Sequence, residues 1–286
     1  MCHKETNSTG IYGGANFFPK AQMQKKLLAL VAVLGGLILF FLIKHDQHEH
    51  DPLPDPVGQV VDPNREILET VKNFSEKSDA VRSVYCKTMP ISLRQGRQTF
   101  SCLGELAYEK TRNFRLVVRH RLTGEEMDIG SNSSIFWFWS KRMDPPSLYF
   151  CKHENYAKSQ LKSALNPEFM VKSLGYDRIE VKDSSGFSED GDNIFAHQRI
   201  TDGSGGPMDI VHVLSKQSKS LDGIKIIRPN GSKVASTHYR GAKIFMEWPE
   251  EDMSMIWDMS SSVLNTRIPK SYWAMPKKSS SIELGD

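Results

Sequence analysis

The feature that most constrains this chain is an uncharged run near its start. Leu27 to Ile43 reads LLALVAVLGGLILFFLI, 17 residues without a charge or a polar face. As a helix rising about 1.5 Å per residue it would span about 25 Å, at the lower end of what a bilayer needs. Lys25, Lys26 and Lys44 stand where they can snorkel to the interfaces. No small-x-small cleavage site follows in Phe40-Phe41-Leu42-Ile43-Lys44-His45, so the run predicts a retained transmembrane helix rather than a signal peptide. Lys4, Lys20, Lys25 and Lys26 precede it against Glu5 alone, while Asp46, Glu49, Asp51 and Asp55 follow. The positive-inside rule then puts residues 1–26 in the cytoplasm and the rest of the chain outside.

Beyond the run, residues 45–62 read HDQHEHDPLPDPVGQVVD, which makes residues 44–61 a polar, proline-rich linker. His45, His48 and His50 lie among acids there, but no second ligand cluster fixes a geometry, so no metal is expected. The whole chain mixes 37 basic with 34 acidic side chains, net +3, with no basic stripe for nucleic acid. Of the four cysteines, Cys86, Cys102 and Cys151 fall outside the membrane, an odd number. Cys86 and Cys102 flank a turn at Arg94-Gln95-Gly96 and are the nearest pair; they either bridge or stay as small buried hydrophobes.

Asp62-Pro63 reads as the start of a helix, with Ile67, Val71, Phe74, Ser78 and Val81 at helical spacing. From Val84 to Cys151 the pattern changes to period two. In Asn113 to Arg121, Phe114, Leu116 and Val118 share one face and Arg115, Arg119 and Arg121 the other, as in a half-buried antiparallel strand. Glu126 to Ile129, Ile135 to Trp139 and Leu148 to Cys151 follow as strands. Two helices, Asn155 to Leu165 and Asn166 to Gly175, interrupt; the second carries Met170 and Leu174 on its apolar side. Strands are then predicted at Arg178–Val181, Ile194–Ile200, Met208–Leu214, Gly223–Ile227, Lys233–Tyr239, Ala242–Glu247 and Ser254–Asp258, with a turn at Pro229-Asn230-Gly231. The fold class is α+β: a curled antiparallel β-sheet with helices on one side, preceded by one transmembrane helix. Residues 277–286 read as a loose tail.

Asp202-Gly203-Ser204-Gly205-Gly206-Pro207 resembles the nucleophile string of chymotrypsin-like proteases, but Asp and Gly are transposed and no partner histidine segment lies upstream. A glycine-rich turn explains it. No other catalytic motif is present, and the pairs Glu125-Glu126, Glu189-Asp190 and Glu250-Glu251 read as solvated loop charge. Neither enzymatic activity nor a cofactor is expected.

Some strands are apolar on both faces: Ile135-Phe136-Trp137-Phe138-Trp139, Lys243 to Trp248 with Ile244 and Met246, and Met253 to Trp257. Either a second layer covers them or the sheet curls around a ligand.

The strings Asn113-Phe114-Arg115-Leu116, Asp128-Ile129-Gly130-Ser131-Asn132, Phe136-Trp137-Phe138-Trp139 and Leu148-Tyr149-Phe150-Cys151, in this order, resemble the LolA/LolB lipoprotein-carrier superfamily in a divergent, membrane-anchored bacterial branch. Glu247-Trp248-Pro249-Glu250-Glu251 is similar to the end of such domains, so the resemblance spans residues 62–276. It implies an incomplete β-barrel with lid helices over an apolar cavity that receives lipid or lipoprotein acyl chains, in the periplasm. The candidate lining is Leu116 and Val118, the run Ile135, Phe136, Trp137, Phe138 and Trp139, then Phe150, with Met170 and Leu174 from the lid and Ile244 and Met246 from the later strands. A retained anchor cannot shuttle. The expected role is therefore an inner-membrane-anchored periplasmic domain binding acyl chains, or else an envelope sensor or structural module whose partners are other envelope proteins.

Overall fold

A computed structural model describes residues 62–110, 112–158, 167–181, 186–201 and 206–284. The apolar run 27–43, the linker with its histidines, and Ser204 lie outside the described residues. Among the described residues no helix is long and apolar enough to cross a membrane.

The chain opens with α1 (Arg65–Asp79), whose first free N–H groups need a cap. Asn64, rather than the expected Asp62, supplies it: its side-chain oxygen accepts from the Ile67 N–H at 2.9 Å. Proline disfavours helical geometry in the residue before it, which keeps Asp62 out of the helix. Six strands follow as a meander: β1 (Ser83–Gln95), β2 (Gln98–Glu109), β3 (Asn113–His120), β4 (Gly124–Ser131), β5 (Ile135–Ser140) and β6 (Leu148–Lys152). A 3-10 turn spans His153–Lys158 at the start of the expected Asn155 to Leu165 helix, whose remainder lies outside the described residues; a short helix, α2 (Pro167–Lys172), comes next. Seven strands then return: β7 (Gly186–Asp190), β8 (Asn193–Thr201), β9 (Pro207–Ser215), β10 (Ser220–Ile227), β11 (Lys233–Arg240), β12 (Lys243–Trp248) and β13 (Met253–Asp258).

Both meanders join in one unclosed sheet because β13 pairs with β1, Leu93 opposite Met255. A two-residue β14 (Val263–Leu264) also pairs with β1. The tail is not loose. Its β15 (Ser281–Glu283) adds in parallel to the edge strand β6, and Leu284 buries beside Phe136 and Cys151.

Side chains alternate across each strand, so the register defines two faces. One row of the concave face runs Tyr149, Phe138, Ile129, Leu116, Leu106, Cys86 from β6 to β1. Another runs Leu93, Met255, Met246, Thr237, Ile224, His212, Ala196, Phe187 from β1 to β7. Most residues of these rows bury in the main core, and α1 covers their β7–β9 end with Ile67, Val71 and Phe74.

Several expectations change. Arg178–Val181 is not a strand: Ser75 Oγ donates to the Ile179 carbonyl at 3.1 Å, so α1 satisfies this extended segment instead of a sheet neighbour. Cys86 and Cys102 are free thiols, because the β1–β2 register sets Cys86 opposite Leu106 and Cys102 opposite Ile91. Glu126 is not solvated. It is buried and ion-paired with Arg142 at 3.0 Å, while Glu125, Glu189 and Glu250 pair with Lys278, Lys216 and Arg228.

Candidate functional site

The concave face is apolar and unusually rich in methionine. Met89, Met127, Met143, Met170, Met246, Met253, Met255 and Met259 all bury in its main cluster. Thioether chains are unbranched and flexible, so such a surface can repack around shapes it was not built for.

Over this face lies α2 with the turn that follows it. Phe169, Met170 and Leu174 point into the cluster, and the Phe169 ring meets Trp248 edge-on, centroids 5.9 Å apart. The helix ends where Gly175 takes φ +73°, a left-handed conformation that costs glycine little. A Cβ there would lie 2.9 Å from the Tyr239 ring, so the turn and β11 approach as only glycine permits. Polar contacts hold this cover down: Thr237 Oγ1 donates to Ser173 Oγ at 2.9 Å, and Tyr239 OH donates to the Ser173 carbonyl at 3.1 Å. Tyr176 stacks on Tyr108, centroids 6.3 Å apart.

Within this apolar interior, Tyr108 OH, His212 Nδ1 and Trp248 Nε1 are buried without a hydrogen-bond partner among the described residues. Each such group costs free energy unless something answers it. Burial, with Lys172 nearby, pushes the His212 imidazole down from 6.5 to about 3, so it stays neutral in the fold. The unfolded chain protonates near 6.5 while the folded chain does not, so acid favours unfolding. The contribution of His212 is complete above about pH 6.5 and is lost as pH falls towards 3, at about 1.4 kcal/mol per pH unit. Urea titrations from pH 7 to 4 should show this slope, and His212→Leu should flatten it; an unchanged slope would mean His212 titrates normally.

Of the twelve candidate lining residues, Leu116, Val118, Phe138, Met170, Leu174, Ile244 and Met246 face the main concave cluster, and Phe136 lies on the same side under the tail. Ile135, Trp137, Trp139 and Phe150 do not. The pairings of Trp137 with Gly130 and Phe150 put them on the outer face, where the C-terminal segment provides the second layer.

That outer face explains the quoted strings. Asp128, 0% exposed, accepts from Arg115 Nε at 3.2 Å and Nη2 at 2.7 Å, and from Trp137 Nε1 at 3.0 Å. Gly130 leaves room for the Trp137 ring, since a Cβ there would come within 2.1 Å of it. Arg115 Nη1 donates to the Tyr272 carbonyl at 3.3 Å and Asn132 Nδ2 to the Trp273 carbonyl at 3.0 Å, which straps the C-terminal segment down. Lys278 sits over the Trp139 ring, 3.7 Å from its centroid. Residues from Phe-Arg-Leu, Asp-Ile-Gly-Ser-Asn and Phe-Trp-Phe-Trp thus build one structural node rather than a ligand site.

Among solved structures the chain is similar to a domain described as an outer membrane lipoprotein-sorting protein, from Vibrio parahaemolyticus: TM-score 0.50, 12% identity, covering 70% of this chain and 94% of that one. The chain shares the fold of that domain. Two further similar structures are a DUF1329 family protein from Desulfovibrio piger, with TM-score 0.48, 10% identity and coverage of 72% and 95%, and a LolA superfamily protein from Nitrosomonas europaea, with TM-score 0.45, 11% identity and coverage of 72% and 97%. No protein-family model and no curated protein matches the chain. In this fold the unclosed sheet and its small helical cover are what place the concave face.

Proposed function

We propose that this domain binds an acyl chain of a lipid or lipoprotein on its concave face beneath α2, without a catalytic step. The observation that carries the reading is a methionine-lined apolar face covered by a six-residue helix, with its following turn held by two hydrogen bonds from β11. A cover so small can lift and admit a chain that replaces Phe169, Met170 and Leu174 on the sheet. The unanswered Tyr108 hydroxyl and Trp248 indole N–H are donors suited to the carbonyl oxygen of an ester or amide headgroup. The lipoprotein-sorting description of the Vibrio protein supports the same ligand class.

In this proposal residues 27–43 hold the domain to the inner membrane with the concave face in the periplasm, as the lysine asymmetry favours. A fixed domain receives or presents lipid at the membrane instead of carrying it away.

The cover can be tested without touching the lining. A hydrogen bond contributes about 0.5–1.5 kcal/mol net, so Tyr239→Phe, which keeps the ring and removes the donor, should speed association of a fluorescent fatty-acyl probe roughly 2–10-fold. Stopped-flow measurements on the full chain in detergent would read this. An unaltered rate would show that α2 does not gate the face.

A further inference from the structure

His212 marks the end of the main concave lining. Along β9 it stands between Ile210, which buries in the main cluster, and Leu214, which buries under α1. Across the sheet it stands between Ile224 of β10, in the main cluster, and Ala196 of β8, under α1. An apolar side chain there would merge the two clusters into one continuous core. The position holds instead an imidazole only 5% exposed, with Nδ1 buried and unpartnered among the described residues.

The partner that Nδ1 lacks has a definite chemistry. Burial keeps the ring neutral, so one nitrogen carries a proton and the other a lone pair. The ring's hydrogen bond to the Ala196 backbone favours the charged form, as a bond donated to a carbonyl does, and so it uses the ring N–H. Since Nδ1 is the unpartnered atom, that N–H belongs to Nε2 and Nδ1 is an acceptor. The neighbouring polar groups are engaged with one another: Thr237 Oγ1 donates to Ser173 Oγ, and the Lys172 ammonium, whose charge acts on the ring, pairs with Asp177 at 3.6 Å.

We propose that His212 Nδ1 receives the polar end of the bound acyl compound and selects compounds that carry an O–H or N–H donor beside the chain, a hydroxyl or an amide, over esters and free carboxylates. This rests on the reading of the concave face as an acyl-chain site and adds which acyl compounds it takes. The chain lies on the main cluster where Phe169, Met170 and Leu174 now pack, and its polar end stops where the cluster under α1 closes the face. A donor meeting Nδ1 removes the cost of a buried lone pair left unmet. An ester brings acceptors alone. A carboxylate brings lone pairs and a charge, which a neutral acceptor in an apolar interior does not stabilise.

The test uses the full chain in mild detergent and the displacement of a fluorescent fatty-acyl probe by compounds of one chain length: hexadecanol, palmitamide, methyl palmitate and sodium palmitate. The alcohol and the amide should displace the probe at concentrations about tenfold lower than the ester and the carboxylate. In His212→Leu that advantage should fall below about twofold, with the ester displacing at least as well as before. His212→Met takes its place if the leucine variant does not fold. Equal displacement by all the compounds, or an advantage that survives loss of the imidazole, would overturn the selectivity and leave acyl binding standing. Displacement by none of them, the ester included, would overturn both.

Discussion

Replacing Asp128 by Ala is expected to lower folding stability by about 3–5 kcal/mol, the range for removing one partner of a buried charge pair. Asp128 is fully buried and answers three donors, two from Arg115 and one from Trp137. Without it the Arg115 guanidinium, largely covered by the strap, keeps its charge and loses its anion, and the Trp137 N–H is left unmet. Asp128→Asn should cost less, about 1–3 kcal/mol, because an amide oxygen still accepts. The two residues should couple: Asp128→Ala with Arg115→Ala should cost clearly less than the sum of the single changes. Urea unfolding of the full chain in detergent measures all of these. A loss below about 1 kcal/mol for Asp128→Ala would mean that the node does not hold the strap and the sheet together.

The second large effect separates neighbours in one strand. Phe138 faces the concave cluster and Trp137 faces the strap, so the same change at each has different consequences. Phe138→Ser should cut affinity for a fluorescent acyl probe by at least about tenfold, which corresponds to about 1.4 kcal/mol. Trp137→Ser should leave affinity of the folded protein unchanged but cost about 3–5 kcal/mol of stability, as aromatic truncation in a core does. Should either serine variant fail to fold, Phe138→Leu and Trp137→Phe give the same contrast in milder form. Equal effects of both changes on affinity would place the ligand elsewhere than on the concave face.

Periodicity made much of this fold legible. Asn113 to Arg121 alternates cleanly and forms β3; the double-sided apolarity of Ile135 to Trp139 calls for two covers, and both exist. What single-strand patterns could not show is which cover meets which face. That depends on pairing register, which sets Phe138 opposite Ile129 and Trp137 opposite Gly130. Arg115 read as a solvent-facing charge because alternation takes the polar side to be wet. A segment about 157 residues later buries that side through Tyr272, a contact no local pattern contains. The strand at Ser281–Glu283 was equally hidden, since three residues acquire strand geometry only by adding to the edge of β6. The interior polar groups offered a weaker signal: His212 in Ile-Val-His-Val-Leu interrupts an apolar run at an inward position.

The central claim is that the concave face takes an acyl chain, and its most direct test is what the protein carries from its own membrane. Full chain purified in mild detergent and analysed by native mass spectrometry, followed by lipid extraction, should retain an acyl-bearing lipid or lipoprotein. Phe138→Ser should lose it while Trp137→Ser keeps it. Recovery of protein with no bound acyl chain, together with no binding of added fatty-acyl probe, would contradict the account and leave the concave face as packed core.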